Sequence, residues 1–340
     1  MKLCVIMPSN KICSPNNIAL KIAEGASEKG AIVTVLYLKE FDENILHTKL
    51  LMFRKMRVRD FIYLRNFDVI HSHLLKPDFI NGFFSLLIKK NRTKTLATIH
   101  SNVFLDLSTY IDNKLIAKFV SKIWFFFLNR LSYRVVVSES LGDNQRNELK
   151  DYHVIHNGIS LNSHESFSFK ESSVAKKTVS CRMNVGILSR LHPGKGIEDA
   201  LYLARHAKHV DVSIYGDGKL SELCSLESRK YQNLSFHGFS FDVKSAFKSI
   251  DLFLMPSRHE GFGMTILESL KYGVPVICYD LPVFREILGE GDFYYKDEKE
   301  LLELLERFRF NYEENKKSQI NRVPLFNEEL MICKYNEMYE

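Results

Sequence analysis

The sequence predicts an α/β chain made of two doubly wound, parallel-sheet domains in tandem. Three observations carry this. The chain has 340 residues, too many for one ordinary core and enough for two of roughly 150 each. Its strands are short continuous apolar runs, the pattern of sheets covered on both faces. Helical segments alternate with those runs in both halves, which is the order of βαβ units. Hydrophobic residues make up 45% of the chain, so each half can bury a core.

The first half opens on "LCVIM" (3–7), a buried-type strand. A helix follows from about Asn16, with Ser14 as N-cap, Pro15 at the first helical position and Gly30 as the stop. "AIVTVLYL" (31–38), "DVIHSH" (68–73), "TLATIH" (95–100), "YRVVVS" (133–138) and "HVIHNG" (153–158) read as further strands. Residues 160–180 are rich in Ser and Lys without a sustained period, and mark an interdomain linker. The second half repeats the alternation with "NVGILS" (184–189), "VDVSIYG" (210–216), "LSFHG" (234–238), "LFLMPS" (252–257) and "PVICYD" (275–280). The expected division is a first domain over 1–165, a linker over 166–182, a second domain over 183–322 and a terminal segment over 323–340. In such sheets ligands bind beyond the carboxyl ends of the strands, so two facing domains would hold a ligand in a central cleft.

Composition narrows the function. A net charge of +6 is mildly basic and suits an anionic ligand or an anionic membrane surface; it does not call for nucleic acid. None of the six cysteines forms a C-x-x-C pair, which reads as reduced thiols in a cytosolic protein. The opening "MKLCVIMPSN" is too short an apolar stretch for a signal peptide, and no run reaches the roughly 18 apolar residues of a spanning helix. No His/Asp/Glu cluster has metal-ligand spacing and no D-x-D occurs, so no protein-built divalent-metal site is expected.

Several stretches can carry chemistry. In "GILSRLHPGKGIEDAL" (186–201) a strand runs into a loop with Arg190 and Lys195, and a helix begins near Gly196. Cations and glycine amides at a helix start favour phosphate. The Walker pattern is absent, and read alone the loop is also a solvated basic turn. In "SRHEGFGMTILES" (257–269) Glu260 sits in a loop and Glu268 about one turn inside the next helix, with the amides of Gly261, Phe262, Gly263, Met264 and Thr265 at its start. From spacing alone the two carboxylates are an acid–base pair, half a metal site or two surface charges. "SIYGDGKL" offers Gly216 and Gly218 in a tight turn, and "LSFHGF" offers His237 and Gly238 at a strand end. His73 and His100 close their strands in the first half. "KLIAKFVSKIWFFFLNRLSYR" (114–134) reads as one amphipathic helix with Leu115, Ile116, Phe119, Val120, Ile123, Trp124, Phe127, Leu128 and Leu131 in a stripe and Lys114, Lys118 and Lys122 beside it. With the basic "FRKMRVR" (53–59) it suits either a packed helix with a solvated edge or a peripheral membrane face.

The order strand–Arg–x4–Lys–Gly, then Gly-Asp-Gly, then "FHGF", then "MPSRHEGFGMTILESLKYGVPVI" resembles the C-terminal domain of retaining GT-B glycosyltransferases, family 4. "DVIHSH", "TLATIH", "VVVSESL" and "VIHNGIS" are similar to that family's N-terminal domain, and "NEELMICKYNEMYE" resembles its terminal helix, which crosses back to the N-domain. The resemblance spans nearly the whole chain, and the E-x7-E signature is its most specific part. It implies the GT-B fold and a metal-independent, retaining enzyme of hexosyltransferase type with no cofactor. The donor would be a nucleotide-sugar, a UDP-sugar in the favoured case. The acceptor would be a saccharide or lipid-linked saccharide of a bacterial surface polysaccharide, handled at the cytoplasmic face of the membrane. Residue by residue it implies that Arg190 and Lys195 grip the diphosphate with the amides from Gly261 to Thr265. Glu260 would bond the sugar hydroxyls, Glu268 the ribose, and Gly216, Gly218, His237 and Gly238 would line the base. His100 would sit beside the reacting centre. Asn10, Lys11, Asn16 and His73 would lie toward the acceptor, although Asn10, Lys11 and Asn16 stand where the family often has glycine. A silent nucleotide-sugar-binding scaffold and a sugar-nucleotide epimerase share the same framework.

Overall fold

A computed structural model describes residues 1–9, 13–39, 50–57, 59–88, 93–108, 111–161, 182–240 and 242–340. The chain forms two compact units, Met1–Gly158 with Asn327–Glu340, and Ile159–Phe326. Both are α/β with fully parallel sheets.

Among the described residues the first unit contains seven strands: β1 (Lys2–Met7), β2 (Ile32–Tyr37), β3 (Met52–Lys55), β4 (Val69–His73), β5 (Lys94–Ile99), β6 (Tyr133–Val136) and β7 (Tyr152–Val154). They lie in the order β3-β2-β1-β4-β5-β6-β7. The order reverses between β1 and β4, so the crevice for a ligand opens at the carboxyl ends of those two strands. β1 is covered on both faces, which explains its unbroken apolar run from Leu3 to Met7. Cys4, Ile6, Leu36, Ile70 and Phe84 form one buried cluster there.

Three sequence expectations change. The first helix spans Ser14–Glu28 with Cys13 at its cap, one residue earlier than expected, so Ser14 lies inside it. The basic stretch 53–59 is in part an edge strand, β3, and Arg54 is taken up by an ion pair with Asp60. The amphipathic helix is shorter, Lys114–Leu128, because the chain must turn there to enter β6. Its buried side consists of Ala117, Ser121, Trp124, Phe125 and Leu128. Leu115, Ile116 and Phe119, expected in the stripe, are exposed instead.

The second unit orders six strands as β10-β9-β8-β11-β12-β13. These are β8 (Met183–Leu188), β9 (Val210–Tyr215), β10 (Leu234–Gly238), β11 (Leu252–Met255), β12 (Val276–Tyr279) and β13 (Tyr294–Tyr295). Here the reversal falls between β8 and β11, the two strands that lead into the loops at 189–196 and 256–263.

The chain then returns to the first unit as the helix Glu328–Tyr339, seated on the helix Ser14–Glu28. A Cβ at Gly25 would stand 2.3 Å from Ile332 Cγ2, so the small residue sets how closely the two helices approach. Tyr335 is fully buried, and Glu328 pairs with Lys21.

The first unit also buries a carboxyl group. Asp78 accepts hydrogen bonds from Ser72 Oγ (2.7 Å) and Trp124 Nε1 (3.0 Å), and forms no ion pair among the described residues. Burial pushes it up to about 8, against the lowering effect of both bonds. The unfolded chain ionises near about 3.9, so the stabilising contribution is complete below that pH and is lost as pH rises toward 8. Stability measured by urea denaturation should therefore fall between about pH 4 and 8, and Asp78→Asn should flatten that slope. An unchanged slope in the variant would locate the titration elsewhere.

Candidate functional site

In the second unit, two loops at the β8/β11 reversal are stitched together. Asp199, in the first turn of the helix Ile197–His206, is fully buried. It accepts two hydrogen bonds from Arg258, Nη1 to Oδ2 at 2.9 Å and Nη2 to Oδ1 at 2.8 Å, and a third from Tyr295 Oη at 2.6 Å. Arg258 also donates to the Pro256 carbonyl (2.6 Å) and stacks 4.0 Å from the centre of the Tyr279 ring. Its backbone N–H reaches the Gly194 carbonyl at 2.9 Å. Gly196 completes the join. It adopts φ +67°, and a Cβ there would stand 2.0 Å from the Pro256 carbonyl oxygen.

This stitching brings Lys195 and Glu260 into a direct ion pair, both largely buried. Arg190 is exposed on the same loop as Lys195. Gly261, Phe262 and Gly263 are buried, and Phe262 packs edge-on against Phe326 at 5.7 Å. Met264 and Thr265 open the helix Met264–Lys271, and Glu268 is half-buried inside it. The Gly-Asp-Gly turn lies against the Lys195 loop. A Cβ on Gly216 would meet the Ser189 carbonyl oxygen at 1.8 Å, so only glycine lets the two backbones come this close. At the next strand end the exposed His237 stacks on Tyr215, with rings 4.3 Å apart and 7° from parallel, and Gly238 follows at φ +70°. The arrangement can do three things: offer cations and helix-start amides to phosphate, offer a carboxylate to hydroxyls, and present a flat surface beside them. Among the described residues, no group of three or more His, Cys, Asp or Glu side chains is placed to hold a metal ion.

Sequence reasoning missed Arg258, Asp199 and the two tyrosines. Arg258 lies within the quoted motif but reads as a loop cation. Asp199 reads as a first-turn acid favoured by the helix dipole. Nothing in a single sequence pairs side chains 59 positions apart.

In the first unit, three histidines meet at the ends of β4 and β5. His71 and His73 alternate along β4 and so share a face. Both are fully buried, and their rings lie 4.2 Å apart. His71 is bonded through Nδ1 to Tyr339 Oη (2.7 Å) and through Nε2 to Thr98 Oγ1 (2.8 Å), and Thr98 Oγ1 in turn meets Tyr335 Oη at 2.9 Å. His73 Nδ1 bonds His100 Nε2 at 2.9 Å. Burial pulls all three imidazoles well below their usual range, and the neighbouring rings add to this for His71 and His73, so the cluster is neutral. His73 is therefore not open to an acceptor, contrary to expectation, whereas His100 at the end of β5 is partly exposed. Asn16 is buried in the first turn of its helix rather than open to a ligand, and Asn10 and Lys11 lie outside the described residues. The linker placed at 166–182 also falls outside them except for Arg182.

The helix Lys114–Leu128 leaves an apolar surface uncovered. Leu115 is 79% exposed and Phe119 65%, with Ile116 and Phe126 also exposed. The adjoining helix Leu75–Leu87, packed on it through Phe79 and Phe127, exposes Phe83, Leu86 and Leu87. Lys114, Lys118 and Lys122 stand among these residues, and Arg130 lies over the Phe126 ring at 4.9 Å. No helix among the described residues is long and apolar enough to cross a membrane.

Comparison with known proteins follows the division into two halves. Residues 22–163 match the family model "Glycosyltransferase Family 4", and residues 174–321 match "Glycosyl transferases group 1". The chain is 28% identical over 304 residues to the O-antigen biosynthesis glycosyltransferase WclY of Escherichia coli, covering 85% of this chain and 83% of that one. Among solved structures it is similar to Anabaena HepE in complex with UDP and glucose, at TM-score 0.78, 16% identity and 99% coverage of both chains. It is also similar to WaaG, a glycosyltransferase of lipopolysaccharide biosynthesis, at TM-score 0.74, 10% identity and 99% coverage of both. The fold shared with these structures is GT-B.

The stitching of the two loops is directly testable. Arg258→Ala leaves the Asp199 carboxylate buried without its cation and should cost about 3 kcal/mol of stability. The check is the urea midpoint at neutral pH; an unmoved midpoint would mean that the loops are held by other contacts.

Proposed function

We propose that this chain, a glycosyltransferase of the GT-B fold, transfers a sugar from a nucleotide-sugar donor with retention of anomeric configuration and without a divalent metal. A UDP-sugar is the favoured donor. The acceptor is a saccharide or lipid-linked saccharide of a bacterial surface polysaccharide. The role of the Escherichia coli relative in O-antigen biosynthesis and the UDP and glucose held by Anabaena HepE support this choice of pathway and donor class.

The observation that carries the reading is the Lys195–Glu260 pair at the strand-order reversal of the second unit. A group that neutralises phosphate and a group that accepts from sugar hydroxyls lie within one hydrogen bond of each other. A nucleotide-sugar needs the same adjacency, because its sugar is bonded directly to its terminal phosphate. As that bond breaks, negative charge grows on the diphosphate and the sugar becomes oxocarbenium-like. Lys195, Arg190 and the amides from Gly261 to Thr265 stabilise the growing charge, each fixed donor contributing roughly 3 kcal/mol. The positive charge of two side chains then does the work that a metal ion would otherwise do. Glu260 orients the sugar, Glu268 accepts from the ribose hydroxyls, and the surface near Gly216, Gly218, His237 and Gly238 receives the base. His100 contributes a ring nitrogen to the sugar. The departing phosphate takes up the acceptor proton, so neither glutamate acts as a hydrolase acid or base.

The apolar and lysine-bearing face of Lys114–Leu128 sits on an anionic membrane surface, which brings the enzyme to lipid-linked acceptors. Leucine and phenylalanine side chains enter the headgroup boundary while the flanking lysines meet lipid phosphates. In contrast, 53–59 contributes less, because Arg54 is already paired.

In a donor-dependent transfer assay run in excess EDTA, Lys195→Ala and Glu260→Ala should each lower turnover at least about 100-fold while the fold survives. Near-normal transfer by either folded variant would overturn the site assignment. For the membrane face, the protein should float with anionic liposomes at low salt, and replacing both Leu115 and Phe119 by Ser should abolish flotation. Retained flotation by that double variant would place the contact elsewhere.

A further inference from the structure

The histidine cluster of the first unit contains more than the function above uses. His73 is fully buried, yet its Nε2 has no hydrogen-bond partner among the described residues. A leucine or phenylalanine would fill the same space without stranding a polar atom, so the site tolerates a cost. The next residue, Leu74, adopts φ +72°, a conformation that is strained for a leucine. Two local costs thus meet at the end of β4, and such costs gather where geometry serves function. The return for them is one contact. His73 Nδ1 holds His100 Nε2 at 2.9 Å, with the two rings stacked 28° apart and their centres separated by 5.2 Å. His73 is itself clamped by the ring of His71, which is locked at both nitrogens by Tyr339 and Thr98.

We infer that His73 is a positioning residue that fixes the ring of His100 so that Nδ1, and not Nε2, is the nitrogen presented to substrate. His100 has two ring nitrogens, and the bond to His73 occupies one of them. The other, Nδ1, has no hydrogen-bond partner among the described residues and is not among the buried, unsatisfied atoms. A neutral imidazole held in this way makes one directed hydrogen bond to a hydroxyl. This inference rests on the role given to His100 in sugar transfer, and it names the atom and the group that aims it.

Isosteric amides separate the two nitrogens. Asparagine carries its amide where histidine has Nδ1, and glutamine where it has Nε2. His100→Asn should therefore keep at least about 10-fold more transfer than His100→Gln, and the reverse order would overturn the assignment. His73→Leu should lower kcat by about 10-fold, with the donor KM changed less than about 2-fold and the melting temperature not reduced, because misplacing a group by less than 1 Å already costs rate. His73→Asn, which keeps a polar group at the Nδ1 position, should recover most of that loss. If His73→Leu turns over normally, or if His73→Asn is as impaired as His73→Leu, His73 does not position His100. The control is His100→Ala. Full activity there would remove His100 from the proposed function, whereas impaired His100→Ala with normal His73→Leu would sink only the present inference.

Discussion

The bidentate pair between Arg258 and Asp199 is the interaction on which the second unit's site depends. A carboxylate taken fully out of water is stable only when its charge is matched and its lone pairs are filled. Arg258 and Tyr295 do both, and in doing so they tie the loop after β11 to the helix that follows the β8 loop. Lys195 lies just before that helix and Glu260 just after Arg258, so the geometry of the charged pair is inherited from the buttress behind it. The aromatic ring of Tyr279, at the end of β12, packs against the planar guanidinium. A lysine at 258 would keep the charge and lose both the fork and the stack.

A second constraint governs the first unit. Neutral polar groups, not ions, hold its functional end together. The sequence His71, Thr98, Tyr335 and Tyr339 forms a buried hydrogen-bonded chain that links β4 and β5 to the terminal helix. Such networks specify one arrangement because any slip leaves several groups unpaired at once. Asp78 belongs to the same logic: it is kept largely protonated by burial, and is bonded to Ser72 and Trp124 rather than to a cation.

Much of this was legible beforehand, for identifiable reasons. Strands such as Leu3–Met7 announce themselves because burial on both faces demands an unbroken apolar run. Lys195 and Glu260 stood out as charges beside glycines at strand-to-helix junctions, but spacing alone left their roles open, and a role for each came only with the resemblance to a known family. The misreadings are equally physical. β3 was invisible because an edge strand facing water has no need of an apolar run, and its Arg54 and Lys55 look like a surface patch. The stripe expected on the helix at 114–128 was right at Trp124 and Leu128 and wrong at Leu115, Ile116 and Phe119, because the exposed side is as apolar as the buried one and periodicity could not separate them. Arg258 and His73 were undervalued because their worth lies in partners distant in sequence.

The return of the chain to the first unit has a consequence for the order of assembly. Gly158 approaches the backbone of Asn327 and Glu328 so closely that a Cβ would stand 2.5 Å from the Glu328 Cα. Tyr335 and Tyr339, which complete the hydrogen bonds of His71 and Thr98, follow the whole second unit in the chain and so are synthesised after it. The second unit is complete in sequence before them. The unit begun first is therefore completed only after the second, and until then its buried His71 lacks the hydroxyl of Tyr339. Loss of the turns of the helix Glu328–Tyr339 that carry Tyr335 and Tyr339 would act on the first unit as a core mutation does, although it leaves every strand of that unit in place.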